Sequence, residues 1–197
     1  MKALIIGSNS DIAKAAIDRL KILSDIVIGV NRSDVDLASD VADQAIRNLL
    51  IEHKPDFILH SAGVFKFNAE ADYDETFDVN LKSQWTVIDH YLKNPPDKPV
   101  RFAMIGSMTY QQGRKNFILY AASRAALFSV WQGASEAAPE NLKLGLINPV
   151  RVNTKQVAHL VHPYPEICLE PDDVAEEIVK LTKMTDHTLV DMEYKRR

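Results

Sequence analysis

Two side chains four positions apart in one helical stretch could form part of a catalytic site. Tyr120 and Arg124 both occur in ILYAASRAAL, residues 118–127, and residues four apart lie on the same face of a helix. A cation beside a phenol favours its ionised form, which suits the phenol to general acid–base catalysis. The alternative interpretation is structural, with an aromatic ring packed under the stem of an arginine.

Two polar residues upstream strengthen the chemical interpretation. Ser107 lies thirteen residues before Tyr120, in MIGSMTY, and Asn80 lies a further twenty-seven residues upstream, in FDVNLKS. Taken singly, a serine after a strand usually marks a turn, a helical asparagine is usually a surface residue and a helical tyrosine usually belongs to the core. The order and spacing of all three favour a catalytic set over packing alone.

The elements that must position these residues follow from the apolar pattern. Short apolar runs alternate with longer amphipathic stretches, which predicts a single-domain α/β fold over residues 1–197, a doubly wound, mainly parallel sheet with helices on both faces. Strands are expected at 3–6, 25–30, 56–60, 100–106, 142–147 and 187–192, and helices at about 10–23, 39–53, 73–93, 117–137 and 171–184.

The connection after the second strand is unusually short. Almost nothing separates that strand from DVDL, residues 34–37, where a doubly wound fold usually places a crossover helix. Either the helix is missing, or the unit is compressed into a strand and a tight turn. HSAG (60–63) is expected to close the fourth strand, and Ser107 to follow the fifth.

Composition and charge restrict the classes of function. The net charge of −4 and the pI of about 5.9 argue against a nucleic-acid-binding protein that relies on a dominant basic face. The amino-terminal apolar run is too short for a signal peptide, no run of roughly 18 apolar residues follows, and the single Cys168 fits a reducing compartment. We therefore expect a cytoplasmic protein with no nucleic-acid or membrane partner. No metal-ligand spacing occurs, so no metal site is expected.

The turn after the first strand has two interpretations. In an open parallel sheet, ligands bind beyond the carboxyl ends of the strands, where strand order reverses. In GSNSDIA (7–13), Gly7 permits a tight turn, and the backbone N–H groups that follow it at a helix start can hold a phosphate. A helix that is simply capped by Ser10 explains the stretch nearly as well.

The end of the second strand favours a dinucleotide, because the adenosine ribose would lie there. A carboxylate at this point accepts the 2′-hydroxyl of NAD, whereas an arginine suits the 2′-phosphate of NADP. The chain offers Asn31 and Arg32, with no acid before Asp34. NADP(H) is therefore preferred over NAD(H), the alternative being that Arg32 is a solvated loop charge.

With these motifs in this order and spacing, the chain resembles the short-chain dehydrogenase/reductase family. That family's pattern is a glycine-rich first turn, a strand end similar to Asn-Asn-Ala-Gly, an asparagine, a serine and Tyr-x-x-x-Lys. The stretches of this chain that match it are 7–13, 60–63, Asn80, Ser107 and 120–124, together with LGLINPVRVNT (144–154), which resembles the segment that cradles the nicotinamide, and LVDM (189–192), which resembles the last strand. The resemblance covers nearly the whole chain and implies a Rossmann-like fold.

The resemblance implies a role for each residue of the set. Tyr120 would protonate the developing alkoxide, Ser107 would hydrogen-bond the substrate oxygen, and Asn80 would anchor a water and the helix near the site. Arg124 would hold the nicotinamide ribose hydroxyls, and NADPH would supply the hydride. The implied cofactor site comprises Gly7, Ser8, Ser10, Ile12, Asn31, Arg32, Asp36, Leu37, Ser61, Ala62, Gly63, Tyr120, Arg124, Pro149, Val150 and Val152.

Departures from the family pattern leave a second hypothesis open. Arg124 stands where the family has lysine; it keeps the positive charge but is effectively never deprotonated, and its planar fork differs from a compact ammonium. Asp11 puts a carboxylate near a pyrophosphate, so it must point away or cap a backbone group. His60 and Ser61 replace the usual residues of the strand end, and Val150 replaces a glycine. The second hypothesis is a non-catalytic NADP-binding sensor or scaffold protein.

The substrate is expected to be a small carbonyl compound or alcohol, phosphorylated or sugar-like. Arg114, Lys115, Arg151 and Lys155 flank the expected cleft and favour an anionic group, although solvated loop charges explain them equally well. INPVRVNT also resembles the equivalent segment of reductase domains that act on pentulose phosphates and often accompany a cytidylyltransferase.

Two further expectations come from the family. Its mobile substrate lid falls on His159, His162 and Tyr164. Its members commonly form dimers or tetramers through helix faces. The apolar faces of 73–93 and 117–137 could therefore form a homodimer or homotetramer interface, or they could belong to the core.

Overall fold

One parallel sheet forms the centre of the protein. The structure, a computed structural model, describes residues 1–158 and 168–193. Within them the strands are β1 Lys2–Ile6, β2 Ile26–Val30, β3 Phe57–His60, β4 Val100–Ile105, β5 Leu142–Pro149 and β6 Thr188–Met192. Their order is β2-β1-β3-β4-β5-β6, and all neighbours are parallel. The predicted α/β class with a doubly wound, Rossmann-like sheet is confirmed.

The helices fall close to their predicted positions. They are α1 Asp11–Leu23, α2 Ala42–His53, α3 Tyr73–Phe77, α4 Ser83–Lys93, α5 Ile118–Ala137 and α6 Pro171–Leu181. The stretch expected to be one helix over 73–93 contains a π-helical turn, Asp78–Lys82, between α3 and α4. Short 3₁₀ turns at Met108–Gln111 and Lys155–Val157 follow β4 and β5.

The sheet is covered on both faces, which explains why its strands read as continuous apolar runs. Adjacent residues of β3 show the alternation: Phe57 packs in the cluster formed with α1 and α6, and Ile58 in the cluster formed with α2, α4 and α5. Local signals start the helices of the first layer. Ser10 caps α1 by accepting a hydrogen bond from the Ala13 N–H, and a capping box between Glu170 and Asp173 begins α6.

The unusually short connection after β2 contains neither a helix nor a strand. Residues 31–41 form turns and irregular backbone, and α2 then makes the crossover from β2 to β3. Of the two alternatives, the helix before residues 34–37 is absent, and no compressed strand replaces it. HSAG therefore closes the third strand rather than the fourth, and Ser107 follows the fourth rather than the fifth. The physical reason is local: Asp34 and Asp36 accept hydrogen bonds from the Asn31 and Ala38 N–H groups, which closes the backbone into turns.

The strand order places the first turn at the point where a ligand is expected. The chain runs from β1 to β2 on one side and then returns to β3 on the other side of β1, so β1 and β3 flank the crevice at which doubly wound folds bind ligands. No helix among residues 1–158 and 168–193 is long and apolar enough to span a bilayer. The lid expected at His159, His162 and Tyr164 lies outside the described residues.

Candidate active site

The turn after β1 requires glycine for two reasons. Gly7 has a φ of +84°, which L side chains rarely adopt, and a Cβ on it would lie 2.4 Å from the Ala62 backbone nitrogen. The turn is held on its other side by hydrogen bonds from the Gly7 and Ser8 N–H groups to the Val30 carbonyl, at 2.8 and 3.0 Å. The ends of β1, β2 and β3 are therefore joined tightly at the crevice.

The start of α1 presents unpaired donors to this crevice. Ser10 Oγ accepts from the Ala13 N–H at 3.0 Å and shares a hydrogen bond with Ser61 Oγ at 2.7 Å. The backbone N–H groups of Asn9, Asp11 and Ile12 make no hydrogen bond to any described residue, which leaves them open to an anion. Ser10 therefore caps the helix, while the neighbouring donors have no partner among the described residues, and their binding of a phosphate stays a prediction.

The Asp11 carboxylate is turned away from these donors. Its Oδ2 accepts a hydrogen bond from the Lys155 N–H at 2.8 Å. It thereby caps a backbone group, which is one of the two arrangements expected for this carboxylate.

A cavity of about 310 Å³ lies between the first turn and the ends of β2 and β3. Of the predicted cofactor residues, its lining includes Gly7, Ser10, Asn31, Arg32, Asp36, Leu37, Ser61, Ala62 and Gly63. Sequence reasoning missed other lining residues, including Asn9, Val35, Ala38, Val64, Glu75, Val79 and Gln156. Most of these residues lie within a few positions of the predicted ones, so they could have been predicted from their closeness to a strand end. Gln156 could not, because it lies in the turn after β5, far away in the sequence.

Arg32 and Asp36, the two charged residues that bear on the choice between NADP(H) and NAD(H), both line this cavity. Arg32 Nη2 lies 3.4 Å from Asp36 Oδ2, and the Arg32 side chain is 74% exposed. The 31–41 loop thus offers an arginine and a carboxylate side by side. The geometry therefore accommodates either a 2′-phosphate or a 2′-hydroxyl.

The remaining predicted cofactor residues lie outside the cavity. Ser8 packs against Gly29, where an added Cβ would meet Ser8 Cβ at 3.0 Å. Ile12, Val150 and Val152 belong instead to the apolar cluster on the α1 and α6 face, beside Pro149 at the end of β5. Most of the predicted cofactor residues therefore line the cavity and a smaller group is apolar, while Ser8, Tyr120 and Arg124 belong to neither group.

Arg124 is buried, with 5% of the residue exposed. Its Nη1 donates to the Ile105 carbonyl and its Nη2 to Asn80 Oδ1, both at 3.2 Å. The absent side chain of Gly63 leaves room for it, since a Cβ there would lie 2.6 Å from Nη2. It forms no salt bridge with a carboxylate of the described residues, so its charge is held by neutral acceptors alone.

Asn80 holds Arg124 from within the π-helical turn. The residue is fully buried, and its amide pairs with both backbone groups of Val64, accepting at 2.8 Å and donating at 2.9 Å. The amide nitrogen also donates to Ser123 Oγ at 3.1 Å. The Asn80 backbone carbonyl, in turn, accepts from Gln84 Nε2 at 2.8 Å. Asn80 therefore braces the segment after β3 against α5.

Ser107 keeps a donor available. Its Oγ accepts from the Thr109 N–H at 3.3 Å and from Thr109 Oγ1 at 3.1 Å. Because both of these bonds use its lone pairs, its own hydroxyl hydrogen is free to be donated. Ser107 also lies two residues beyond Ile105, whose carbonyl contacts Arg124.

The Tyr120 ring is fixed while its hydroxyl is free. The Arg124 Cζ lies 5.0 Å from the centroid of the ring, within the range of a cation–π contact. Phe65 packs edge-on against the ring at 4.9 Å, and Phe117 at 6.2 Å. The hydroxyl makes no hydrogen bond to any described residue. The Tyr120 ring is therefore packed as the structural interpretation expected, while its unpaired hydroxyl leaves the catalytic interpretation open.

His60 adds a buried neutral group beside this cluster. Its Nε2 shares a hydrogen bond with Ser83 Oγ at 2.8 Å, and the residue is fully buried. Burial, with a smaller contribution from the charge of Arg124, lowers the pKa of His60 to about 3. The imidazole is therefore uncharged at neutral pH and adds no second cation.

The strand order and the crevice between the ends of β1 and β3 are typical of doubly wound proteins that bind a nucleotide cofactor. The family model described as short chain dehydrogenase matches residues 1–164, and the chain belongs to this family. Members of the family interconvert alcohols and carbonyl compounds with a nicotinamide cofactor. No group of three His, Cys, Asp or Glu side chains among the described residues is arranged to hold a metal ion.

Curated relatives and solved structures agree with the family. A 2-dehydro-3-deoxy-D-gluconate 5-dehydrogenase of Formosa agariphila is 26% identical over 163 residues, covering 73% of this chain and 62% of that protein. A bifunctional ribulose 5-phosphate reductase/CDP-ribitol pyrophosphorylase of Haemophilus influenzae is 28% identical over 109 residues, covering 52% of this chain and 23% of that protein. The chain thus spans less than two thirds of each relative.

Among solved structures, the 3-alpha-hydroxysteroid dehydrogenase of Pseudomonas sp. B-0831, complexed with NADH, has the same fold. Its TM-score is 0.82 at 17% identity, covering 97% of this chain and 94% of that one. Other structures with this fold contain NADPH or NADP.

Proposed function

We propose that the protein is an NADP(H)-dependent oxidoreductase that interconverts a carbonyl and an alcohol on a small, anionic, sugar-derived substrate. The observation that carries the proposal is the pairing of a free Tyr120 hydroxyl with a buried Arg124 that has no carboxylate partner among the described residues. A buried cation without a carboxylate partner is costly to the fold, and it is available to stabilise negative charge that develops during the reaction.

The cavity and the start of α1 fit a dinucleotide. The free N–H groups of Asn9, Asp11 and Ile12 would hold the phosphates, and the cavity beside Asn31 would hold the adenosine. The exposed Arg32 guanidinium supports NADP(H) over NAD(H), because arginine binds phosphate with charge-assisted hydrogen bonds. When bound, the cofactor supplies or accepts the hydride.

Side chains of the protein would bind the substrate oxygen and transfer the proton. The free hydrogen of Ser107 would be donated to the substrate oxygen, and Tyr120 would give its proton to the developing alkoxide. The Arg124 charge would then stabilise the phenolate that remains. Asn80 keeps that charge in place through its bond to Nη2.

The substrate class rests on the relatives and on the charge around the site. The named substrates of both curated relatives are sugar derivatives with an acidic group, a gluconate in one and a 5-phosphate in the other. Arg114, Lys115, Arg151 and Lys155 are exposed, and they form no salt bridge with any described residue. Such cations raise the local concentration of an anionic substrate.

The test is a titration with NADPH and NADH, followed by cofactor oxidation across a carbonyl panel that includes ribulose 5-phosphate and a 2-dehydro-3-deoxyaldonate. We expect tighter binding of NADPH, and turnover that falls by about 10²–10⁴-fold in Tyr120→Phe because a positioned general acid is lost. The variant should still bind the dinucleotide, because the first turn and the cavity are unaltered. Absence of binding to either dinucleotide, or turnover that does not depend on Tyr120, would contradict the proposal.

A second candidate function is a non-catalytic NADP sensor or scaffold. The observation that favours it is that Arg124 is buried and does not line the cavity, whereas the family role requires residue 124 to contact the cofactor ribose. Tight dinucleotide binding without turnover across the panel would favour this candidate.

We also propose a cytoplasmic homodimer or homotetramer assembled through the faces of α4 and α5. Trp85 on α4 and Ile118 on α5 are 41% and 58% exposed, and large exposed apolar side chains often mark an interface. Light scattering on the purified protein, repeated with Trp85→Glu, tests this assembly: a monomeric wild type would overturn it, and a monomeric variant would support it.

A further inference from the structure

A chain of hydrogen bonds joins Ser107 to the last strand of the sheet. The Ser107 N–H donates to Asn148 Oδ1 at 3.1 Å, and Asn148 Nδ2 donates to Asp191 Oδ1 at 3.0 Å. The other carboxylate oxygen of Asp191 accepts from the Tyr110 hydroxyl at 2.7 Å. These contacts link the ends of β4, β5 and β6 behind the serine.

The position of the Asn148 side chain is restricted by burial and by the close approach of Gly106. The residue is 1% exposed, and a Cβ on Gly106 would lie only 2.1 Å from Asn148 Oδ1. Glycine at 106 is therefore needed for the amide to reach the Ser107 N–H. No other side chain at that position is compatible with this contact unless the backbone moves.

Asp191 determines which way the amide faces. An asparagine amide has a donor end and an acceptor end of nearly equal shape, whereas an ionised carboxylate only accepts. With Asp191 on one side, the NH₂ must face the carboxylate, so the carbonyl must face the Ser107 N–H. A reversed amide would place a donor against a donor.

Tyr110 holds Asp191 from the opposite side. Its ring stacks on Phe128 of α5, with centroids 4.3 Å apart and planes at 26°, so the hydroxyl has a fixed position. Burial raises the pKa of Tyr110, and the hydrogen bond and charge of Asp191 raise it too. Tyr110 therefore remains a hydrogen-bond donor to Asp191.

We propose that Asp191 is a positioning residue for the reaction, one that orients the Asn148 amide and through it fixes Ser107 at the end of β4. The inference rests on the proposed function, because it assigns Asp191 to the reaction that Ser107 serves. Asp191 reaches neither the cavity nor the first turn through these bonds. Its loss should therefore affect the chemical step rather than cofactor binding.

The experiment compares Asp191→Ala and Asp191→Asn with Asp186→Ala, an exposed aspartate that precedes the same strand and makes no contact with this chain of bonds. We expect Asp191→Ala to lower kcat by about tenfold or more, since small displacements of a catalytic group are costly, with an unchanged Kd for NADPH. Asp191→Asn keeps an acceptor oxygen and should recover part of the rate. The control should match the wild type.

A second readout does not depend on turnover. Hydrogen exchange at the Ser107 amide should become faster in Asp191→Ala and stay unchanged in Asp186→Ala, because only the former loosens the Asn148 acceptor. Unchanged exchange overturns the inference, and so does faster exchange with an unchanged kcat. If the wild type turns over no substrate, the proposed function fails, while the exchange result still decides whether Asp191 orients Asn148.

Discussion

At the scale of single residues, the arginine at 124 is explained by the directions of its acceptors. The Ile105 carbonyl and the Asn80 amide oxygen are reached by two different nitrogens of the guanidinium. A planar fork presents donors in two fixed directions, whereas an ammonium offers donors from a single atom on a flexible stem. The site is therefore arranged around a guanidinium, with Gly63 giving it room.

We expect Arg124→Lys to be destabilising although it preserves the charge. At least one buried acceptor would lose its donor, which costs about 1–3 kcal/mol in the free energy of unfolding. Chemical denaturation measures the loss. Arg114→Lys, on an exposed loop, is the matched control and should leave stability unchanged; equal stability of the two variants would show that a lysine fits the site.

At the scale of elements, the π-helical turn Asp78–Lys82 gives Asn80 its place. It interrupts the path from α3 to α4, and Asn80 within it pairs with both backbone groups of Val64. Turns of this type occur frequently at functional sites. The amphipathic pattern correctly predicted a helix over this stretch, but a single π-helical turn changes the register without leaving a mark in an apolar pattern.

Replacing Asn80 tests the importance of this brace. Asn80→Ala would leave the Val64 N–H and carbonyl without their partners, so the free energy of unfolding should fall by about 1–3 kcal/mol. Asn48→Ala removes an exposed asparagine of α2 and should have little effect. The two variants are compared by urea denaturation, and a loss in Asn80→Ala no larger than in Asn48→Ala would contradict the bracing role.

At the scale of the whole molecule, acid is expected to destabilise the fold. Burial lowers the pKa of His60 to about 3, and burial also lowers the pKa of His90 and of His187. An unfolded histidine titrates near its ordinary value of 6.5. Between these pH values the unfolded state binds more protons, so stability is greatest above 6.5 and is lost as the pH falls.

His60→Asn isolates the contribution of the most buried of these three histidines. Between about pH 6 and pH 4 the wild type should lose about 1.4 kcal/mol of unfolding free energy per pH unit for each histidine kept neutral by the fold. The unfolding free energy of the variant should fall less steeply with pH, by about 1.4 kcal/mol per pH unit, because one histidine fewer takes up a proton on unfolding. The contribution of the other histidines should be unchanged. Denaturation curves collected across this pH range provide the measurement, and parallel pH profiles would refute it.

The sequence by itself determined the class of fold and the set of residues worth testing. Apolar runs are local properties, so the strands, most helix bounds and the Ser10 cap were predictable, and the absence of a helix directly after β2 was visible as missing chain length. The motif around Tyr120 and Ser107 was equally visible, because the order of residues along the chain is what defines it. Its chemistry remains a prediction.

Only the tertiary structure decided how those residues are held. No pattern indicates that Arg124 points at the Ile105 carbonyl, that Gln156 joins the cavity, or that Asp191 stands behind Asn148, because each contact joins segments brought together by sheet order. The same holds for the division of the cofactor residues between the cavity and the apolar cluster. Sequence records which side chains exist, whereas their partners depend on packing across strands far apart in the chain.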